Sequence, residues 1–156
     1  MKGKRLLGMI TFCAIFGLIF ATTNTLMAQK VPEKIIIGHP EGMSGTYAKA
    51  GEQAIGGVRA CIKWVNQTYG GVKIGGKKVP LEYKYYDCES KKEGVTSLIE
   101  RLITVDKVNV VFAPYSSGLT LAGTPVAEKY KMLYMDHGGA SDRIFQQGYK
   151  YIVQTI

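Results

Sequence analysis

Three cysteines, two histidines and no block of like charge leave this 156-residue chain short of the residues on which many site chemistries depend. Cys13 lies within the first 28 residues, so Cys61 and Cys88 are the pair that a processed chain would keep. In an oxidising compartment these two could bond, but their spacing alone does not establish it. His39 and His137 both follow strand-like stretches and could meet in space. With no clear acid or cysteine partner they make a thin metal or catalytic case, and loop or surface positions are the expectation for both. Three of the 20 basic residues and none of the 12 acidic ones fall in the first 28, leaving 17 against 12, a net +5 on the remainder. Those lysines are dispersed, which argues against a nucleic-acid partner and for a solvated basic surface. The longest apolar run, residues 6 to 21, has 16 residues, fewer than the roughly 20 of a spanning helix. The chain has no internal repeat and no low-complexity segment.

What is present begins with a three-part leader. Basic "MKGKR", the apolar run and small, polar "TTNTLMA" have the layout of a secretory signal peptide over 1–28, cut after Ala28, although Leu26 allows a boundary a few residues away. Residues 29–156 fit one domain.

Strand and helix patterns alternate along that domain. "EKIIIGH" (33 to 39) reads as a buried strand ending at glycine and proline, and 46 to 68 as a helix with Ile55, Val58, Cys61, Ile62 and Val65 on one stripe. "YGGVKIGGKK" reads as a turn or small hairpin, and "VPLEYKYYD" (79 to 87) alternates with strand period. A second helix shares Val95, Leu98, Ile99, Leu102 and Val105, with Ser90 as its cap and Glu93 three residues on. "VNVVFAP" is a strand covered on both faces; Leu119, Ala122, Val126 and Tyr130 then form a third stripe in which Pro125 must start or kink a turn. "KMLYMD" and "YKYIVQT" supply two more strands, the last running into the end of the chain, which reads as a fragment. The pattern predicts an α/β fold with a doubly wound, mainly parallel sheet.

Ligands of such sheets sit outside the carboxyl ends of the strands. The loops there are "HPEGMSGTY", "DCESK", "PYSSGLT" and "DHGGAS", and three of the four are rich in small residues and hydroxyls. Each alone is ordinary turn and capping chemistry. Their recurrence on one edge points to a site for a carboxylate or phosphate at free helix-start N–H groups. Sharper motifs fail. "GVKIGGKK" lacks the hydroxyl of a phosphate loop and precedes a strand; "GHPEGMSG" lacks dinucleotide spacing, although Asp87 stands where a ribose-binding acid would; "PYSSG" is no nucleophile elbow.

The segments "IIIGHPEGMSGTYAKAGEQAIGGVRACIKWVNQTYGGV", "YYDCESKKEGV", "VVFAPYSSGLTLAGTPVAEKYKMLYM" and "GGASDRIFQQGYKYIVQT" together resemble the N-terminal lobe of the leucine/isoleucine/valine-binding protein family over 33–156. These are the substrate-binding proteins of branched-chain amino acid ABC transporters, with the type I periplasmic binding fold of two lobes that close by a hinge. The resemblance implies that Ser117, or Ser116 one residue away, holds a ligand carboxylate with its hydroxyl and neighbouring N–H. It implies that Gly138, Gly139, Ala140 and Ser141 touch the carboxylate and ammonium, and that Tyr47 lines the ligand side chain. Three departures touch the pocket. Ala140 stands where branched-chain binders carry a threonine, leaving Ser141 to substitute. Ala50 takes the place of the first-loop aromatic, leaving Tyr47 or Tyr115. A family disulfide at Cys88 would have its partner at Ser116 and is missing. Leucine, isoleucine or valine should therefore not be assumed as ligand.

The resulting expectation is a non-enzymatic, exported protein of the periplasm or cell exterior, without cofactor and monomeric when full length. It would capture an amino acid or related small carboxylate and deliver it to a membrane ABC permease. Two alternatives stand beside it: the ligand-binding sensor domain of a receptor, and a Rossmann-type nucleotide-dependent enzyme using Asp87.

Overall fold

The computed structural model describes residues 31–155; the leader read at 1–28 lies outside them. Five parallel strands form the main sheet: β1 (Ile35–Glu41), β4 (Leu81–Asp87), β5 (Val110–Phe112), β6 (Tyr134–Asp136) and β7 (Ile152–Gln154), in the order β4-β1-β5-β6-β7. β2 (Val72–Ile74) and β3 (Lys77–Val79) make a separate antiparallel hairpin. Three helices connect the strands: α1 (Ala48–Tyr69), α2 (Lys92–Thr104) and α3 (Ser117–Lys129). This is the doubly wound α/β architecture that the alternating pattern predicts, and its strand order reverses direction between β1 and β5.

Strand parity divides the sheet into two unlike faces. Gly38, Val111, Tyr134 and Ile152 are in register on one face, and all four are buried. That face carries the apolar core, where α2 contributes Val95, Ile99 and Leu102 and α3 contributes Leu119 and Ala127. Gly38 fits closely there: a Cβ would come within 3.0 Å of Val108 and 3.1 Å of Leu102, so those side chains would have to shift. The opposite face presents Tyr83, Tyr85, Ile37, His39, Glu41, Phe112, Met135 and Val153. α1 covers its β4 side, burying Gly51 and Ile55, while Val153 at the far edge is 40% exposed.

Four expectations need correction. The first strand does not stop at His39 but runs through Pro40 to Glu41. β5 pairs with β1 only at Ile37 and Gly38, so Pro40 lies beyond the stretch flanked on both sides, where a missing N–H would break the ladder. Ser90 is not the cap of α2. Lys91 holds that position without a side-chain bond, while the Ser90 hydroxyl turns to the first loop, donating to Ser44 O at 2.6 Å and accepting from Tyr47 N at 3.1 Å. On α3 the fully buried positions are Leu119, Thr120, Gly123, Thr124 and Ala127, a stripe one residue round from the predicted one after Leu119. α3 also continues through Pro125: Leu121 O, deprived of the proline N–H, accepts from Thr124 Oγ1 at 2.9 Å. The fourth correction concerns His39, which is completely buried.

Candidate ligand site at the carboxyl edge of the sheet

The loops after β1 and β4 are tied together by one carboxylate. Asp87 Oδ1 accepts the N–H groups of Met43 (3.0 Å), Ser44 (3.2 Å) and Glu89 (2.8 Å). Desolvation pushes the Asp87 carboxyl up, but the bonds from Ser44, Glu89 and Met43 outweigh it and hold it below the ordinary carboxylate range. This acid braces two loops through Oδ1, and its Oδ2 receives none of these three bonds.

The loops after β5 and β6 are joined in the same way. Ser116 is the N-cap of α3, at φ 91°, with its Oγ accepting from Leu119 N at 3.3 Å and its N–H donating to Gly138 O at 3.2 Å. Ser117 opens the helix, and its Oγ accepts from Ala140 N at 3.1 Å, leaving its O–H proton free to donate. The N–H groups of Ser117 and Gly118 have no backbone acceptor among the described residues, as the first turn of a helix dictates. Beneath the second loop, Asp136 Oδ1 accepts from Gly138 N (3.1 Å) and Gly139 N (2.7 Å), and Gln154 Nε2 donates to Gly139 O at 3.1 Å. Ser141 precedes a short 3-10 turn at Asp142–Ile144 and makes no side-chain cap. The serines thus differ: Ser116 is spent on the helix, whereas Ser117 faces the 138–140 loop.

Two aromatic rings flank this edge at the point where the strand order reverses. Tyr47, in the 3-10 turn Gly45–Tyr47 before α1, stands edge-on to Tyr115, with ring centroids 5.8 Å apart. Tyr115, Ser116, Ser117 and the 138–141 loop are thus brought together, and Tyr47 joins them through Tyr115. A cavity of about 680 Å³ is lined by Met43, Glu52, Ile55, Arg59 and Tyr85, and a shallower one of about 450 Å³, lined by Lys92, Gly118, Leu121 and Arg143, reaches the helix start at Gly118. The predicted site is an open edge, as half of a two-sided pocket would be.

Glu41 was not anticipated. It is fully buried, and its carboxylate accepts Gly42 N at 2.7 Å and Tyr115 N at 3.1 Å, so it anchors the residue from which the β5 loop departs. Burial raises its carboxyl, but the His39 bond and charge and the two N–H donors outweigh that and leave it lowered. His39 Nε2 lies 3.2 Å from Glu41 Oε2 and 3.1 Å from His137 Nε2. The acid partner that the histidines lacked in the sequence is therefore present. The legible signal was parity: Glu41 sits two and four residues after His39 and Ile37 in one strand. Cys61 and Cys88 are both free, the first exposed and the second buried, and burial pushes the Cys88 thiol up, away from the reactive thiolate.

The family model described as "Periplasmic binding protein" matches residues 34–156, most of the chain. The chain belongs to the periplasmic binding protein family. Within that family it is similar to a Leu/Ile/Val-binding protein homolog 8 of Brucella abortus, 31% identical over 113 residues that make up 72% of this chain and 27% of the relative. Its fold resembles the isoleucine complex of LivJ, a branched-chain amino acid transporter substrate-binding protein from Streptococcus pneumoniae, at TM-score 0.69 and 27% identity, over 78% of this chain and 33% of that one. It also resembles an ABC-transporter solute-binding protein of Rhodopseudomonas palustris in complex with 3,4-dihydroxybenzoic acid, at TM-score 0.64 and 25% identity, over 79% and 32%. The family resemblance read from the sequence holds. The chain spans about a quarter of the length of that curated relative and a third of these solved structures.

Proposed function

We propose that residues 29–156 are the first ligand-binding lobe of an exported solute-binding protein, preceded by a signal peptide over 1–28, that captures an amino acid or related small carboxylate for a membrane ABC permease. The observation that carries this reading is the pair of unused N–H groups at Ser117 and Gly118 beside the free Ser117 hydroxyl proton. A carboxylate buried on lobe closure needs paired donors, since an unpaired one is costly, and a helix start supplies them without a full positive charge. Gly138, Gly139, Ala140 and Ser141 form the facing wall, and Ser116 holds the helix start in place. Tyr47 and Tyr115 line the flank, and an edge-to-face ring pair suits an aromatic acid as well as an aliphatic amino acid. Relatives in complex with isoleucine and with dihydroxybenzoate support both classes. Closure against a second lobe would complete the pocket, in a protein that works as a monomer, without a cofactor and without turnover.

Thermal unfolding of the complete protein in the presence of amino acids and hydroxybenzoates tests this. At least one carboxylate should raise Tm in proportion to log concentration above its Kd. Ser117→Ala should weaken that ligand at least tenfold, while Ser116→Ala should act mainly through stability, by about 1 kcal/mol for the lost cap. A shift with nucleotides and none with carboxylates overturns the proposal.

A further inference from the structure

The face of the sheet under α1 holds a cluster whose chemistry solute capture does not use. His39 Nε2, Glu41 Oε2 and His137 Nε2 converge from β1 and from the residue after β6. The three atoms are separated by 3.1, 3.2 and 4.0 Å. A point equidistant from all three lies about 2.0 Å from each, the length of zinc–imidazole and zinc–carboxylate bonds, about 2.0–2.2 Å.

One buried carboxylate meets two imidazoles at this spot. Glu41 is buried, and its only ion-pair partners among the described residues are the two imidazoles, with no lysine or arginine within salt-bridge distance. A buried carboxylate without a fixed positive partner is costly. His39 Nε2 also stands 3.1 Å from Ala113 O, so a carboxylate, a carbonyl and a second imidazole nitrogen crowd one ring nitrogen. A cation at the shared point would meet the carboxylate oxygen and both imidazole nitrogens at bonding distance. The outer groups fit as well. His39 Nδ1 is 2.6 Å from Tyr83 Oη, a partner that fixes the ring with Nε2 directed inward.

We propose that His39, Glu41 and His137 form a binding centre for a divalent first-row transition cation, zinc(II) foremost. Two imidazole nitrogens and one carboxylate oxygen are the borderline donor set that such ions select over magnesium or calcium. Three protein ligands leave a fourth position for water or a solute donor. The ion would also stiffen the solute edge, because Glu41 holds the N–H of Tyr115. The centre stands whichever solute the lobe captures.

Titration of the metal-free, untagged chain with Co²⁺ and then Zn²⁺, with no solute added, tests this directly. One equivalent of Co²⁺ should bind with the intense visible absorption of a low-coordinate site, and Zn²⁺ should displace it. His137→Ala, at a partly exposed position where the fold should survive, and Glu41→Gln should each lower affinity at least tenfold. Tyr83→Phe should lower it about tenfold through the lost orienting bond. Circular dichroism checks that each variant is folded. The absence of a cobalt spectrum in the unaltered chain overturns the proposal, and so does binding that survives both His137→Ala and Glu41→Gln.

Discussion

The two faces of the sheet follow different rules. On the face covered by α2 and α3, Val95, Ile99, Leu102, Val111 and Tyr134 have no exposed surface; Tyr134 Oη donates to Thr120 O at 3.4 Å, and Asp136 Oδ2 is the one buried polar side-chain atom among the described residues left without a hydrogen-bond partner. On the face under α1, aromatic rings, two imidazoles and a carboxylate share the surface, and the β7 edge is open to solvent. The covered face supplies the stability that lets the other hold polar chemistry. Substitutions should therefore separate the two faces by magnitude.

The largest effect is expected at Leu102. Its side chain fills the space over Gly38 and is fully buried, so Leu102→Ala should remove about 2–5 kcal/mol of unfolding free energy in urea melts. A loss below about 1 kcal/mol would mean that this face collapses more readily than its packing implies. Gly123 tests the same face by overfilling. A Cβ there would lie 2.3 Å from Tyr134 Oη and 2.6 Å from Ile99 Cδ1, so Gly123→Ala should cost about 1–3 kcal/mol even though alanine is the better helix former. Calorimetry that shows stabilisation instead would put the helix–sheet contact in error.

At the rim of the covered face, Asp106 binds Lys84 Nζ at 2.9 Å and Tyr86 Oη at 3.2 Å. The Lys84 bond, the largest influence, holds the Asp106 carboxyl below its usual range. A group lowered on folding contributes stability that is fully present above its unfolded pKa, about 3.9 for aspartate, and is lost as pH falls through the folded value. Asp106→Asn should therefore be less stable than the unaltered protein at pH 7, and the gap should narrow below about pH 4. Denaturant midpoints at the two pH values check this, and a gap that widens in acid contradicts it.

The covered face was the legible one. Val95, Ile99 and Leu102 repeat with helical period, and "VNVVFAP" has the continuous apolarity of a doubly covered strand, so pattern alone placed α2 and β5. The hydroxyl loops were found for the same reason, since small residues after strands mark the carboxyl edge of a parallel sheet. The other face was misread, because its information lies in register. His39 and His137 are 98 positions apart, and only the pairing of β1 with β5 and of β5 with β6 brings their rings to 5.0 Å. Glu41 was hidden by Pro40, which reads as a strand stop and here sits inside the strand. The two serines resolved for a local reason: a cap is defined by where its oxygen points, and nothing in "SS" distinguishes the residue that turns back to Leu119 from the one that turns toward Ala140.

The smallest effect belongs to the open edge. Val153 is in register with Met135 on the face opposite Tyr134, yet it is 40% exposed where its counterpart Ile152 is 9% exposed. Val153→Ala in this chain should change stability by no more than about 0.5 kcal/mol, the range of ordinary surface substitutions. Ile152→Ala, one residue away on the covered face, should cost about 2 kcal/mol or more. Urea unfolding of the two variants in parallel measures the contrast on adjacent residues of one strand, where backbone pairing and position along the sheet are almost the same. Equal losses would mean that the open face is packed as tightly as the covered one, and the division of labour between the two faces would fail at its most sensitive point.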